Sequence, residues 1–535
     1  MSITSIVSFV LFTAFVAVGT YLIVRKREHM SQDGFFLAGR SLTFPFIAGS
    51  LLLTNLSTEQ LVGLNGSAFK EGLSVMAWEV VAVIALVLMA LLFLPKFLKA
   101  GVTTVPEYLA RRFDRGTELT CNIIFLIAYT VILLPIILYT GARGMMGVMD
   151  IQLGVSEMTE LYIIVFAVAL IGSIYAIWGG LNSCAVSDTL NGIGLLIGGL
   201  IISYYALTKL GDGELGNGVC ELLQEEKRMN SIGGHDAEAP FAALFTGILF
   251  INVFYWCTNQ QIIQRTLGAK SLAEGQKGVL LTGALKLFGP LYLVIPGIIA
   301  AILFARGELM IEDGMSDKAY GALVNAVLPP ALTGFFAAVL LGAILSSFNS
   351  ALNSTCTLFS LGIYKPYIRQ NASDKEVVNA GRIFGTVLTV GSIIIAPLLA
   401  HTGSIFNYLQ SMNAIYFIPI LAVVVVGMMT KYVPGFAANI ALIGGVLLIA
   451  LGYFVHPFTQ LTEMMGQYHF VGAVFVLIVA WMLLAGILYP RQNPYSDYDA
   501  KVLDMTPWKY TKGAAVALVL IVIAIYAVFA DFSVL

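Results

Sequence analysis

Charged residues are scarce in this sequence of 535 residues. Asp, Glu, Lys and Arg together make up 11% of the chain, whereas soluble globular domains carry roughly 25%. Hydrophobic residues make up 58%, and the mean hydropathy is +0.87. This composition excludes an ordinary soluble domain and predicts an all-α integral membrane protein with many spans.

An excess of basic residues is also missing, since the net charge is −2 and the pI is near 6.2. Nucleic acid is therefore not an expected partner. The five cysteines are dispersed without metal-ligand or disulfide spacing, and the five histidines show no ligand spacing either. No nucleophile stands beside a base, so we expect neither an enzyme nor a histidine or cysteine metal site. No obligate protein partner is evident.

Long apolar segments fill most of the chain, and about 20 residues are needed to cross a bilayer. On that basis we predict about fourteen transmembrane helices in one polytopic domain, residues 1–535. Their approximate limits are Ser2–Val24, Ser41–Phe69, Leu73–Leu94, Leu119–Val148, Leu161–Trp178, Ser183–Leu207, Phe241–Gln261, Val279–Ala305, Leu328–Leu361, Ala380–Ala400, Ser404–Met428, Ala437–Val455, Phe470–Leu488 and Ala514–Phe532.

The loops differ in charge on the two sides of this predicted arrangement. If the amino terminus lies outside, the inward side carries roughly three times as many Lys and Arg residues as the outward side. Arg25 to Arg27, Arg112 and Arg265 are counted among the inward basic residues. Both termini are therefore predicted outside. The first helix, residues 1–24, has no basic segment before it and is expected to be retained as a span.

Two apolar segments are interrupted by polar residues. The second span contains Thr54 to Gln60, and the seventh contains Asn252 with Thr258 to Gln260. In lipid, an irregular backbone is tolerated where it lines a cavity. The two spans lie five apart, so they enter the membrane in opposite directions, as an inverted repeat of five helices requires. We predict a 5+5 inverted-repeat transport core at residues 41–428, followed by three C-terminal helices at 437–535.

Polar side chains inside the predicted spans need partners, because an unpaired charge at a helix centre costs about 2.5 to 3.5 kcal/mol on insertion scales. One interpretation is structural: Glu79 and Lys286 form a static ion pair, or each snorkels or joins a packing hydrogen bond. The other is that a set of donors and acceptors converges on a hydroxylated solute. That set is Asn55, Gln60, Glu79, Asn252, Lys286 and Gln410.

Aromatic residues accompany this set, and Tyr255 is the strongest candidate for the cavity because it sits at the seventh-span interruption. A sodium ion takes oxygen ligands, and a broken helix exposes carbonyls. The small and hydroxyl residues of the ninth span could equally serve helix packing. A plausible all-oxygen site combines the carbonyls of Leu53, Leu56 and Ala343 with the hydroxyls of Ser346 and Ser347.

Asp188 lies near the inward end of the predicted sixth span. It could relay sodium toward the cytoplasm or form a second ion site with Ser346 and Ser350. The alternative is a helix-end carboxylate that faces water.

At these residues the chain resembles the sodium/solute symporter family, and within it bacterial sodium/galactose cotransporters. The resemblance runs from the first span to at least Gln410. It rests on Phe36 to Leu42, Asn55 to Gln60, Thr104 to Tyr108, Gly179-Gly180, Asn259, Gln264 to Leu267, Lys270-Ser271, Ser346-Ser347 and Leu352 to Ser354.

This resemblance implies alternating access, with sodium flux driving uptake of a galactose-like or glucose-like hexose across a bacterial inner membrane. It implies sugar contacts at the six polar residues named above, an inner gate at Tyr255, an outer gate at Phe406, and sodium at the five-residue oxygen site. Trp78, Ala82 and Asn349 depart from the family pattern, so the identity of the sugar and the sodium count stay open.

Other classes remain. A symporter of the same fold could carry sialic acid, an inositol or a carboxylate, although an anion would favour an arginine at mid-membrane, where this chain has Glu79. A solute sensor without coupled transport is a further alternative, but the sequence shows no appended signalling domain.

Overall fold

The computed structural model describes residues 2–25, 31–149, 154–311, 315–401 and 405–535. Side chains are described in these ranges except at 59, 175, 178, 179, 317, 400, 401 and 405–407. Within the described ranges the chain is helical and forms no sheet. Two isolated parallel bridges, Leu42 with Ala269 and Ser271 with Asp504, tie loops together.

The α-helices of the described residues are, in chain order, α1 (Ile3–Val24), α2 (Gln32–Phe36), α3 (Phe44–Asn55), α4 (Thr58–Glu71), α5 (Ala77–Leu88), α6 (Leu94–Ala100), α7 (Val105–Arg112), α8 (Arg115–Ala128), α9 (Leu134–Met149), α10 (Glu157–Leu210), α11 (Leu215–Gln224), α12 (Gly247–Cys257), α13 (Gln260–Leu267), α14 (Leu272–Lys286), α15 (Gly289–Leu293), α16 (Ile295–Ala305), α17 (Ser316–Val327), α18 (Pro330–Phe359), α19 (Asp374–Ile395), α20 (Ile405–Met429), α21 (Gly435–Phe454), α22 (Phe458–Met465), α23 (Gln467–Leu488) and α24 (Thr511–Val528). Short 3₁₀ segments lie at Ala38–Arg40, Gly72–Met76, Phe241–Phe245, Ala396–His401 and Phe532–Val534, and π-helical turns lie at Met89–Phe93, Tyr129–Leu133 and Ser360–Ile368.

Eleven helical stretches of the described chain are long and apolar enough to cross a membrane, or twelve if the bent pair Leu272–Lys286 and Gly289–Ala305 counts as one span. The predicted membrane class is confirmed at this level. The shorter apolar helices α3 and α12 are the first halves of the two interrupted segments, and each continues after a break into α4 or α13.

The helices that carry polar residues pack together at the centre. Helix α3 contacts both α10 and α14, and α18 packs along α10 and against α3. Within α10 the chain turns sharply at Gly180, whose φ of 61° is left-handed. A Cβ there would lie 2.8 Å from the Phe35 carbonyl oxygen, so the close approach also requires glycine.

The outer helices have a different surface. Many large apolar side chains of α1, α21, α23 and α24 are exposed, among them Leu11, Leu447, Ile487 and Leu520. In water such a surface would be costly, whereas lipid covers it without penalty. The molecule therefore has a polar centre enclosed by helices whose outer faces suit a bilayer.

Candidate functional site

The first break separates α3 from α4 at Leu56 and Ser57. The Leu56 N–H still bonds the Leu52 carbonyl at 2.9 Å, but the Ser57 N–H turns to the carbonyl of Asn55 at 2.8 Å. In a continuous helix that N–H would bond Leu53. The break therefore frees carbonyl oxygens in the middle of an apolar segment, as the sequence predicted.

The second break separates α12 from α13 at Thr258 and Asn259. Asn259 is an N-cap residue, and its side-chain oxygen accepts from the Gln261 N–H at 3.3 Å. The buried Tyr129 hydroxyl donates to the same oxygen and accepts from the Gln261 N–H at 3.1 Å. Asparagine is favoured at an N-cap because it satisfies such orphan donors. This break, too, was predicted from the sequence.

Both breaks border one small cavity. Its volume is about 50 Å³, which is room for roughly three or four water molecules. It is lined by Thr54, Asn55, Ser57, Gln60, Trp78, Glu79, Leu133, Ile137, Ile251, Asn252, Tyr255, Trp256, Gln261, Leu409, Gln410, Asn413 and Phe417. Carboxylate, amide and hydroxyl groups thus share the cavity with aromatic rings.

A buried ion pair forms one side of this region. The Lys286 ammonium lies 2.7 Å from Glu79 Oε2, and both side chains are 1% exposed. Lys286 also donates to the Asn55 side-chain oxygen and lies 5.1 Å from the centre of the Trp256 ring. At Gly289 a Cβ would lie 2.7 Å from Glu79 Oε2, so the glycine leaves room for the carboxylate. Snorkelling to the surface is excluded for both charges.

The structure brings the predicted solute set together. Five of its six members line the cavity: Asn55, Gln60, Glu79, Asn252 and Gln410. The sixth, Lys286, contacts Glu79 and does not itself line the cavity. Gln60 Oε1 is buried and has no hydrogen-bond partner among the described residues, and such an atom in a cavity is expected to meet water or a ligand. Tyr255 also lines the cavity. The side chain of Phe406, the predicted outer gate, lies outside the described residues.

Two cavity amides were missed in the sequence. Asn413 lies three residues after Gln410 on α20, so helical spacing places both on one face and could have identified it. Gln261 follows the second break, and its side-chain NH₂ donates to the Ser347 carbonyl at 3.3 Å. Gln261 thereby joins the solute cavity to the helix that carries the predicted sodium ligands.

The five predicted sodium ligands lie where α3 ends against α18. Leu53, Leu56, Ala343, Ser346 and Ser347 are all buried. The Ser347 hydroxyl donates to the Thr54 carbonyl at 3.3 Å, which joins the broken end of α3 to α18. The Thr54 hydroxyl in turn contacts the Ser350 hydroxyl at 3.1 Å. Oxygen atoms from two helices are therefore concentrated at the break.

Asp188 is not a helix-end carboxylate facing water, because it is fully buried in the interior. Arg265, which the charge count placed in an inward loop, is buried beside it, and the two charges are 4.0 Å apart. The Ser50 hydroxyl bridges them: it donates to Asp188 at 2.6 Å and accepts from Arg265 Nε at 3.2 Å. Arg265 also donates to Ser350 and to the Gln261 carbonyl. The loop assignment was wrong because α13 is polar in sequence yet enclosed by other helices.

An all-helical membrane protein with two broken helices around a polar cavity has the architecture of a secondary transporter. The model of the sodium:solute symporter family matches residues 35–448. The chain belongs to this family.

Relatives extend the match along the chain. The uncharacterized symporter YidK of Escherichia coli K12 is 43% identical, covering 100% of this chain and 92% of the relative. The sodium/glucose cotransporter of Vibrio parahaemolyticus is 32% identical, covering 79% of each chain. A sodium/myo-inositol cotransporter 2 of Sus scrofa is 30% identical, covering 82% of this chain and 68% of the relative.

A solved structure agrees in fold. A Na⁺-coupled sialic acid symporter in a substrate-bound outward-open state aligns with a TM-score of 0.77 over 92% of this chain and 99% of that one. The sequence identity is 17%, so the likeness concerns the fold alone. Membership of the sodium:solute symporter family makes the chain a transporter rather than an enzyme, as the sequence predicted.

Proposed function

We propose that the protein couples inward sodium flux to uptake of a galactose-like or glucose-like hexose. The main support is the cavity between the two broken helices, because its neutral hydrogen-bonding groups lie next to the oxygen atoms at the end of α3. Asn55, Gln60, Asn252 and Gln410 offer both donors and acceptors. The rings of Trp256 and Tyr255 can cover the apolar face of a sugar.

The charge balance favours an uncharged solute. Glu79 and Lys286 neutralise each other at 2.7 Å, so the pair offers polar contacts without net charge. An anionic substrate would bring an unpaired charge next to Glu79, at a cost that burial increases. A hexose or another neutral polyol meets no such penalty.

Sodium is proposed to bind at the break in α3. The ligands would be the carbonyls of Leu53, Leu56 and Ala343 with the hydroxyls of Ser346 and Ser347. Their burial and the Ser347 contact to Thr54 support this set, since sodium would then hold α3 against α18. Asp188 and Ser350 are proposed as an exit path or a second site. A second ion at Ser350 would require Arg265 to release that hydroxyl.

Transport is proposed to proceed by alternating access. A cavity of about 50 Å³ is too small for a hexose, so the surrounding helices must separate before the solute enters. Tyr255 would close the inner side and Phe406 the outer side. Adding the bent pair and the two broken helices to the eleven spans would give fourteen, the number we propose. We also propose a 5+5 repeat and both termini outside.

The energy of one sodium is sufficient for concentration of the solute. A ten-fold sodium gradient supplies about 1.4 kcal/mol, and one charge crossing about 100 mV supplies about 2.3 kcal/mol. Together, about 3.7 kcal/mol sustains accumulation of roughly several hundred-fold. No chemical reaction is needed.

An inositol is the second candidate, favoured by the 30% identical myo-inositol cotransporter. It is a neutral polyol and would use the same donors and acceptors. Sialic acid and carboxylates are less compatible with Glu79, because they are anions. A sensor without coupled transport would not account for the proposed sodium ligands.

The test is a counterflow screen in proteoliposomes, with hexoses, inositols and sialic acid offered with and without sodium. We expect sodium-dependent exchange of a hexose, and uptake lowered by about 100-fold or more in Gln60→Ala and Asn252→Ala. Asn217→Ala, at an exposed amide outside the cavity, is the matched control and should transport normally. Normal hexose uptake by both cavity variants would refute the assignment of the cavity as the solute site. Sodium-dependent exchange of inositol alone would show that the substrate is an inositol and not a hexose.

A further inference from the structure

A second and much larger cavity lies away from the proposed solute site. Its volume is about 610 Å³, and four parts of the chain line it: α6 with the turn before it, Tyr108 on α7, the start of α14, and the segment from Tyr495 to Lys512. By the loop-charge rule these parts lie on the inward side. The proposed transport path does not use this cavity.

The walls of the cavity carry a positive charge. Lys96 and Lys99 come from α6, Lys509 precedes α24, and Lys512 lies in the first turn of α24. Asp497 is the single carboxylate among the described lining residues, so the lining has a net charge of +3, four lysines less one aspartate. Lys99, Lys509 and Lys512 are exposed, whereas Lys96 donates to the Met428 carbonyl. Three ammonium groups are therefore available to a negatively charged ligand.

Specific hydrogen bonds hold the walls of the cavity in place. Gln276 fixes one wall: its side-chain oxygen accepts from the Trp508 N–H at 2.9 Å and from the Thr511 hydroxyl at 3.0 Å. Its NH₂ group donates to the Ala90 carbonyl at 3.1 Å. The Ala500 N–H bonds the Lys99 carbonyl at 2.9 Å. The start of α14, the region of α6 and the segment from Tyr495 to Lys512 are thereby held together.

The surface next to the cavity changes from charged to apolar along one helix face. Lys512, Val516, Leu520 and Ile523 follow each other at spacings of four, four and three residues, so they share a face of α24. Val516, Leu520 and Ile523 are 58% to 59% exposed. The stripe thus begins with an ammonium group at the cavity and continues as an apolar surface for about three turns.

We propose that this cavity binds the headgroup of an anionic phospholipid, with the acyl chains along the apolar stripe of α24. A phosphate is negatively charged and therefore complements the positively charged lysines. Basic pockets between helices on the inward side of a membrane protein bind such headgroups. Trp508 lines the cavity and provides the ring expected at the membrane interface. A soluble phosphate would satisfy the lysines but would leave the adjoining stripe unused. The proposal depends on the membrane embedding and not on the identity of the transported solute.

The first experiment measures lipid retention by the full-length protein in native mass spectrometry. Purified protein is exposed to equal amounts of phosphatidylglycerol and phosphatidylcholine. We expect a preference for phosphatidylglycerol of about ten-fold or more, lost in Lys99→Gln/Lys509→Gln/Lys512→Gln. The matched control is Lys270→Gln/Lys375→Gln/Lys431→Gln, which removes three exposed lysines outside the cavity and should keep the preference. Equal retention of both lipids by the unaltered protein, or the same loss in both triple variants, would overturn the site.

The second experiment uses Trp508 as a reporter. Phosphatidylglycerol with brominated acyl chains should quench part of the tryptophan fluorescence, and Trp508→Phe should remove that part. Glycerol 3-phosphate is added as the soluble headgroup. If it competes with the lipid as effectively as intact phosphatidylglycerol, the site is one for soluble phosphates and the lipid assignment is wrong. Transport assays are not involved, so failure here is separable from failure of the sugar proposal.

Discussion

Two buried ion pairs among the described residues are built differently. Glu79 and Lys286 are in direct contact at 2.7 Å, and Glu79 lines the solute cavity. Asp188 and Arg265 are 4.0 Å apart, with Ser50 between them, and Arg265 donates to Ser350 of the proposed second ion site. The direct pair compensates its own charges. The separated pair relies on hydroxyls and carbonyls from several helices, so its stability depends on how those helices are arranged.

The difference suggests two roles. The direct pair, which also bonds Asn55 through Lys286, can supply polar contacts to a solute without net charge. A bridged pair responds to movement, since Arg265 reaches Ser50 on α3, Ser350 on α18 and the Gln261 carbonyl on α13. Those are the helices that the proposed transport cycle must separate.

Breaking the direct pair should have the largest effect. Lys286→Met leaves Glu79 buried without its cation, and loss of one partner of a buried pair costs about 3–5 kcal/mol. We expect a strongly lowered unfolding temperature in detergent and loss of transport. In the double variant Glu79→Gln/Lys286→Met most of the stability should return, because no unpaired charge remains. A single variant as stable as the unaltered protein would show that Glu79 has another partner.

Arg265→Lys tests the bridged pair. Lysine keeps the charge but cannot reproduce the planar set of N–H donors that reaches Ser50, Ser350 and Gln261. The expected loss of stability is about 2 kcal/mol, the range for hydrogen bonds to charged groups. Arg115→Lys, at an exposed arginine, should change the unfolding temperature little. If the two variants behave alike, charge alone holds this region together.

Ser50→Ala should have the smallest effect of the three. It removes the bridging hydroxyl and leaves both charges in place, at a cost of about 1–2 kcal/mol. Ser8→Ala on α1 removes a local bond to the Ser5 carbonyl and is the matched control. Denaturant unfolding of both variants measures the difference. A loss no larger than in the control would mean that Asp188 and Arg265 interact without the bridge.

Much of the architecture could be predicted from the sequence, because lipid leaves few choices for a polar residue in an apolar segment. Thr54 to Gln60 predicted the first break, and Thr258 to Gln260 predicted the second. The six solute residues also came together, and Asn413 could have been added by helical spacing from Gln410. These features depend on local pattern, which a sequence displays directly.

Other features depend on distant contacts and could not be predicted. Arg265 follows a polar segment and resembles a loop residue, yet its burial is decided by Asp188 and Ser350, 77 and 85 residues away. No pattern of hydrophobic residues in the sequence marks the cavity near Trp508. Its walls are held by backbone hydrogen bonds to Lys99 and Leu272, which the sequence does not display. From the sequence, the lysines of this cavity indicate only that their loops lie on the inward side.

In the proposed mechanism the break at Leu56 and Ser57 links the solute cavity to the sodium ligands. The most direct measurement is reciprocal binding to the purified protein by calorimetry: hexose affinity at several sodium concentrations, and sodium affinity with and without hexose. Each ligand should strengthen the other by the same factor, roughly 5-fold to 150-fold, because linkage is reciprocal, and Ser347→Ala should reduce that factor. Hexose binding that is unchanged by sodium would contradict the link.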